Sequence, residues 1–166
     1  MPLLVFFLSS PNGAGKSTLL KCLAGIETVD QGTIEISSGA KLVYVDQEPN
    51  WKDESVFEVL FVGNSAEAKA TRAYYKALDP SGDFDDESIS SSTDEMTNQN
   101  AWEYTEEGLK IAENLNIKED FLYKSVKFLS GGEKKRIALA AALIQKPDIL
   151  FLDEVHITYV MSPTIV

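Results

Sequence analysis

An α/β fold built on a buried parallel sheet is predicted by three features of this chain. An apolar run over residues 3–8 passes straight into a glycine-bearing loop at 9–18, which opens a helical stretch at 17–24. A second apolar run, 149–152, stops at the acidic pair Asp153-Glu154. Between them, residues 49–145 are dominated by helical spacing and charge. Strands that are apolar on both faces suit a parallel sheet covered by helices. A chain of 166 residues holds one real core, not two. The expected division is a sheet-bearing core from 1–48 and 146–154, with a helical subdomain over 49–145.

Each element has its own warrant. Residues 3–8 read as a buried strand, because six apolar residues are too few to cross a bilayer and lack a signal peptide's basic start. The helix at 17–24 is closed by Gly25. Gln31-Gly32 marks a turn, 33–36 alternates, and 41–45 is largely apolar, so the last two are predicted strands. Helices are expected to begin at 53–60 and to continue at 65–78. Asp, Ser, Gly, Thr and Asn dominate 79–100. So few apolar residues cannot offset the entropy of ordering, which predicts a mobile loop. Order returns with a helix at 102–115, a short helical piece at 118–123, a helix at 132–145 and the strand at 149–152. Trp51 and Trp102 flank the helical part as packing anchors.

Charge is concentrated rather than spread. The net charge is −11, yet ten carboxylates and no Lys or Arg lie between Lys76 and Lys110. The rest of the chain is near neutral, which argues against a broad basic face for nucleic acid. The triplet Lys134-Lys135-Arg136 reads as the solvated face of the 132–145 helix. One cysteine, Cys22, excludes an internal disulfide and suits a reducing compartment. In its apolar helix it is expected to be a small buried hydrophobe. With no targeting segment and no membrane insertion, a cytoplasmic location is expected.

The loop S-S-P-N-G-A-G-K-S-T carries the chemistry of phosphate binding. Gly13 and Gly15 let backbone N–H groups converge on phosphate oxygens. Lys16 neutralises β/γ-phosphate charge, the Ser17 hydroxyl ligates Mg²⁺, and the helix start adds its positive dipole end. Ser10 stands where G-x-x-x-x-G-K-[ST] has its first glycine. Asp153, at a strand end, is placed to hold Mg²⁺ through its water shell. Leu129-Ser130-Gly131-Gly132-Glu133 combines small residues with a helix start, an anion site in its own right.

Together these strings resemble the nucleotide-binding domain of the ABC ATPases over about residues 3–154. The resemblance implies a P-loop NTPase core with a parallel sheet, a helical signature subdomain, and ATP with Mg²⁺ as cofactors. It assigns Asn12, Gly13, Ala14, Gly15, Lys16, Ser17 and Thr18 to the nucleotide. It assigns Ser130, Gly131, Gly132 and Glu133 to a γ-phosphate held by a second ABC ATPase domain. Glu154 becomes the general base. Gln47, in V-Y-V-D-Q-E-P, reaches Mg²⁺ or the attacking water. His156 comes too early to be the family's switch histidine.

The short run from Lys16 to Gln47, the Gln47-Glu48-Pro49 wording and Ala101-Trp102 resemble the ABC-F class. Its members are soluble, carry two ATPase domains in one chain and act on ribosomes. Their usual P-T-N-H-L-D continuation is absent, since Val155-His156-Ile157-Thr158 follows the acidic pair. The resemblance implies an incomplete domain that lacks an adenine-stacking aromatic before the loop. It also lacks the aspartate loop, switch histidine and last strands after Glu154, and 155–166 is an unrelated tail. Strands 3–8 and 149–152 are then expected to have exposed edges, and the chain alone is expected to hydrolyse ATP weakly or not at all. Other readings are a transporter's ATPase subunit, a non-catalytic remnant and, most distantly, a small-molecule kinase.

Overall fold

Three short apolar runs form one parallel sheet. Strands β1 (Leu4–Phe7), β2 (Leu42–Val45) and β3 (Ile149–Leu152) pair in the order β1-β3-β2. The computed structural model describes residues 3–7, 15–47, 49–82 and 85–153. They fall into two compact units, one running to Pro49 and resuming at Lys146, the other spanning Asn50–Gln145.

In the first unit β3 is the centre of the sheet. Leu4 pairs with Ile149 and Phe7 with Leu152 on one side, and Leu42 with Ile149 and Val45 with Leu152 on the other. Asp148 fixes where these strands begin. Its carboxylate accepts the Lys41 N–H at 2.8 Å, its own N–H donates to the Lys41 carbonyl, and its carbonyl accepts from Leu4. Flanked on both sides, Leu150, Phe151 and Leu152 are buried, so the exposed edge expected at 149–152 is not found. β1 shows the exposed edge expected of it, but not the burial expected of the strand. Leu4, Val5 and Phe6 are 48%, 38% and 46% exposed, because among the described residues β1 has a neighbour on one side only. Residues 33–37 form no strand. Their alternation leaves Ile34 and Ile36 exposed, with no adjoining strand among the described residues to accept their backbone hydrogen bonds.

Helix α1 (Lys16–Leu23) ends as the sequence predicts. Gly25, at φ +72°, sends its N–H to the Cys22 carbonyl, while Ile26 N–H reaches the Lys21 carbonyl. This is a Schellman closure, and only a residue tolerant of positive φ completes it cheaply. Cys22 is half-buried rather than buried, and its thiol contacts the Thr28 carbonyl at 3.6 Å.

The second unit is helical: α2 (Val56–Leu60), α3 (Ala66–Ala77), α4 (Asp86–Asn98), α5 (Ala101–Asn114) and α6 (Gly131–Ile144). Two 3₁₀ turns, Glu119–Phe121 and Val126–Phe128, link α5 to α6. α2 begins at Val56, later than expected, because Ser55 and Glu58 close a capping box there. Nearly all of this short helix is buried, and it packs on α6. α6 is buried around most of its girth from Ile137 to Ala142, as expected for an all-apolar helix. A hydroxyl pair, Thr71 with Thr105 at 2.8 Å, ties α3 to α5 inside the unit. Phe57, Phe61, Tyr74, Tyr75, Tyr104, Trp102 and Tyr123 form a continuous aromatic cluster. Burial there pushes the Tyr75 phenol up to about 12.

The mobile loop expected at 79–100 is largely helix. Asp79 turns the chain by accepting Ser81 N–H, and Asp85 caps α4 by accepting Glu87 and Ser88 N–H. Ile89, Ser92, Thr93 and Met96 share one face at helical spacing. Met96 is 0% exposed and packs with Ala70, Ala101 and Tyr74. One well-buried anchor with a good cap is enough where neighbouring helices supply the other wall. Met96→Ala is therefore expected to cost about 2–3 kcal/mol, read as lost hydrogen-exchange protection across 86–98. Protection equal to wild type would show that α4 is held by something else. No helix among the described residues is long and apolar enough to cross a membrane.

Candidate nucleotide site

The C-terminal edge of the sheet is where the chain leaves all three strands for the sequence's candidate segments. Phe7 and Val45 both align with Leu152. Gln47 follows β2 and Asp153 follows β3, so both emerge at the same edge, while the glycine loop that follows β1 in sequence lies mostly outside the described residues. In parallel α/β sheets this edge is where ligands bind, because loops there diverge and helices begin.

Gly15 caps α1 at φ +77° with open space where a Cβ would stand. The helix starts at once, with Leu19 N–H on the Gly15 carbonyl at 2.9 Å. Lys16, the first residue of α1, is only 9% exposed. Ser17 and Gln47 are half-buried and Thr18 is exposed. Asn12, Gly13, Ala14 and Glu154, together with His156 and the 155–166 tail, lie outside the described residues.

Asp153 is 2% exposed. Its N–H donates to the Val45 carbonyl at 3.1 Å, and its Oδ2 accepts the Tyr44 hydroxyl at 2.9 Å. Oδ1 is buried with no hydrogen-bond partner among the described residues. A buried carboxylate oxygen left unpaired is costly, and a divalent cation or its water shell is the chemistry that satisfies it. The residues present thus fit Mg²⁺. Among the described residues, no group of three or more His, Cys, Asp or Glu side chains could hold a metal on its own.

Tyr44 was not singled out from sequence. Burial first, and then the hydrogen bond to Asp153, hold its phenol well above the usual tyrosine range. It therefore stays a neutral donor that orients the carboxylate. Its only sequence signal is a polar residue in an apolar strand. The pairing with Asp153 depends on the register of β2 against β3, which the sequence does not carry.

In the second unit Ser130 N-caps α6. Glu133 Oε2 accepts both the Ser130 N–H at 2.7 Å and the Ser130 hydroxyl at 2.5 Å. The Glu133 N–H returns to Ser130 Oγ at 3.3 Å. Ser130, Gly131 and Gly132 are exposed. The two hydrogen bonds from Ser130 hold the Glu133 carboxyl below its ordinary range. A lowered carboxyl pKa stabilises the fold above the unfolded value, and this support fades as pH falls through the folded one. Lys134, Lys135 and Arg136 are half-buried rather than solvated.

Comparison with known proteins supplies the family. The ABC transporter family model matches residues 5–156. The ABC transporter ATP-binding protein YfmR of Bacillus subtilis is 37% identical over 153 residues, 89% of this chain and 24% of that protein. The energy-dependent translational throttle protein EttA of Haemophilus influenzae is 33% identical over 153 residues, 86% of this chain and 27% of that protein. The solved structure of RNase-L Inhibitor superposes with a TM-score of 0.53 and 26% identity, covering 92% of this chain and 22% of that one. The chain spans about a quarter of the length of the curated relatives named here. It belongs to the ABC transporter family and has the fold of that family's ATP-binding domain, with a P-loop core and a helical subdomain.

Proposed function

We propose that this domain binds Mg²⁺·ATP at the C-terminal sheet edge, and that the complete protein hydrolyses ATP to drive an ABC-F-type two-domain clamp acting in translation. The observation that carries the nucleotide reading is the buried, half-satisfied Asp153 carboxylate at the C-terminal end of β3. Lys16 and the Gly15 turn would take the phosphates. Ser17 and Asp153, with Gln47 beside them, would hold Mg²⁺. When bound, Mg²⁺ supplies charge neutralisation on the β- and γ-phosphates. Tyr44 keeps the Asp153 carboxylate pointed, and Glu154 would orient and deprotonate the attacking water.

The ABC-F assignment is supported by the relatedness to EttA, a translational throttle protein by its name, and by the short run from Lys16 to Gln47, the Q-E-P wording and Ala101-Trp102. It makes the partner a second ATPase domain, whose nucleotide would meet Ser130, Gly131, Gly132 and Glu133, and places the complete protein at the ribosome in the cytoplasm. ATP-dependent co-sedimentation of the full-length protein with ribosomes tests this directly. A transporter subunit remains the second reading because YfmR is described as an ABC transporter ATP-binding protein. Recovery of the full-length protein with a membrane partner, and not with ribosomes, would establish that reading in its place.

Asp153→Asn separates the metal role from folding. The amide oxygen still accepts from Tyr44, while a buried charge is removed, so stability is expected to hold or rise slightly. ATP affinity in Mg²⁺ is expected to fall about tenfold, to the level measured in EDTA. A variant that keeps the full Mg²⁺-dependent gain would remove Asp153 from the metal site.

A further inference from the structure

We propose that Glu133 is an internal anion that occupies the Ser130 hydroxyl until a triphosphate takes it, the carboxylate then passing to Arg136. This rests on the reading that the turn at 130–133 meets phosphate held by a second ATPase domain.

A serine hydroxyl has a single proton and serves one anion at a time. Here that proton is committed, since Glu133 Oε2 accepts it at 2.5 Å and accepts the Ser130 N–H as well. The first turn of α6 still offers donors elsewhere. The N–H groups of Gly131 and Gly132 have no intrahelical acceptor, and both residues are exposed with no neighbour crowding a Cβ position on Gly131. An arriving phosphate would therefore engage the glycine amides first and compete with the carboxylate for the serine. Both are anions at the same positive helix end, so they exclude one another.

The released carboxylate has a destination. Arg136 lies one turn further along the same helix face, and its charge already acts on Glu133. Arg136 Nη1 lies 4.0 Å from where a Gly132 Cβ would stand. Arg136 Nε is buried with no hydrogen-bond partner among the described residues. Pairing with Glu133 would satisfy a donor that is otherwise left costly, offsetting the lost cap.

The chain contains its own control. Ser55 and Glu58 make the same box, at 2.8 and 2.7 Å, but they cap a helix whose first two residues are buried.

The test titrates the 166-residue chain with Mg²⁺·ATP and follows self-association by sedimentation velocity, with nucleotide binding measured in parallel. Glu133→Gln keeps an N3 acceptor for the box but removes the charge. It is expected to lower the ATP concentration at half-association about fivefold, the scale of one like-charge repulsion about 4 Å away and screened as in water. Glu58→Gln should move it less than twofold. Arg136→Gln, which removes the destination, should raise it about threefold with Glu133 intact. In a Ser130→Ala background the Glu133→Gln shift should vanish. An unchanged midpoint in Glu133→Gln, or a shift that persists in full without the serine hydroxyl, would overturn the exchange. Wild type that binds ATP but never associates would show that copies of this chain do not present phosphate to one another, and would overturn the exchange between them. Circular dichroism melts assign any loss to unfolding, and a melted Glu133→Gln leaves Arg136→Gln as the deciding variant.

Discussion

Lys16→Ala is expected to weaken Mg²⁺·ATP binding at least a hundredfold while leaving the melting temperature within a few degrees of wild type. The side chain stands at the first residue of α1, behind the left-handed Gly15, and is only 9% exposed. A cation and a phosphate about 4 Å apart interact by roughly 4 kcal/mol at the effective dielectric of a protein surface, and more where water is excluded. Even after desolvation takes part of this, two decades of affinity remain. Folding has less to lose, because alanine is the better helix former. Lys16→Arg is not a conservative substitute, since a planar fork replaces a point charge on a flexible stem. It should recover only part of the binding. Lys21→Ala, in the last turn of the same helix, controls for net charge and should bind as wild type does. Titration calorimetry with and without Mg²⁺ decides it. Binding by Lys16→Ala within threefold of wild type would move the phosphates away from this loop.

The parts of the fold legible in the sequence were those set by neighbours in the chain. The Gly25 closure of α1, the apolar runs of the sheet and the Ser130 start of α6 are local, and each formed within a residue or two of its expected place. What escaped depended on distant partners. α4 was hidden because its order comes from Met96 meeting Ala70 and Ala101, not from its own composition. Its Ser and Thr hydroxyls also turn inward along the helix, with Ser92 and Thr93 both donating to the Ile89 carbonyl. This uses polar groups that composition alone assigns to solvent. The reverse error occurred at 33–36, where a strand pattern had no strand beside it. At the candidate site, motif spacing singles out Lys16, Ser17 and Asp153 from the sequence alone. Tyr44 is not singled out, because only the alignment of Val45 with Leu152 places its hydroxyl on Asp153. The engagement of Ser130 by Glu133 was readable in part, as a Ser-x-x-Glu capping pattern.

Gly108→Val is expected to destabilise the chain by about 3 kcal/mol, lowering its melting temperature by roughly 6–12 °C. Glycine inside a helix costs about 1 kcal/mol relative to alanine, so its presence in α5 calls for a reason. A Cβ at 108 would stand 2.5 Å from Phe61 Cε1, 3.1 Å from Cζ and 3.4 Å from Ile144 Cδ1. The Phe61 ring cannot swing aside cheaply. It is fully buried, stacked on Tyr75 and tilted against Tyr104. Its backbone is pinned too, because the Arg72 guanidinium donates to both the Phe61 and Gly63 carbonyls. Alanine would regain helix propensity while paying for the clash, leaving a loss of about 1 kcal/mol. Valine forfeits the propensity gain and adds two methyl groups to the same crowded spot. If the contact with Phe61 is the cause, Phe61→Leu should cost stability alone yet recover part of the loss in the Gly108→Val background. That double-mutant cycle would show at least about 1 kcal/mol of coupling. Additive losses would mean that α5 is displaced as a whole, and an unchanged melting temperature in Gly108→Val would mean that the close approach of α5 to Phe61 does not exist in solution.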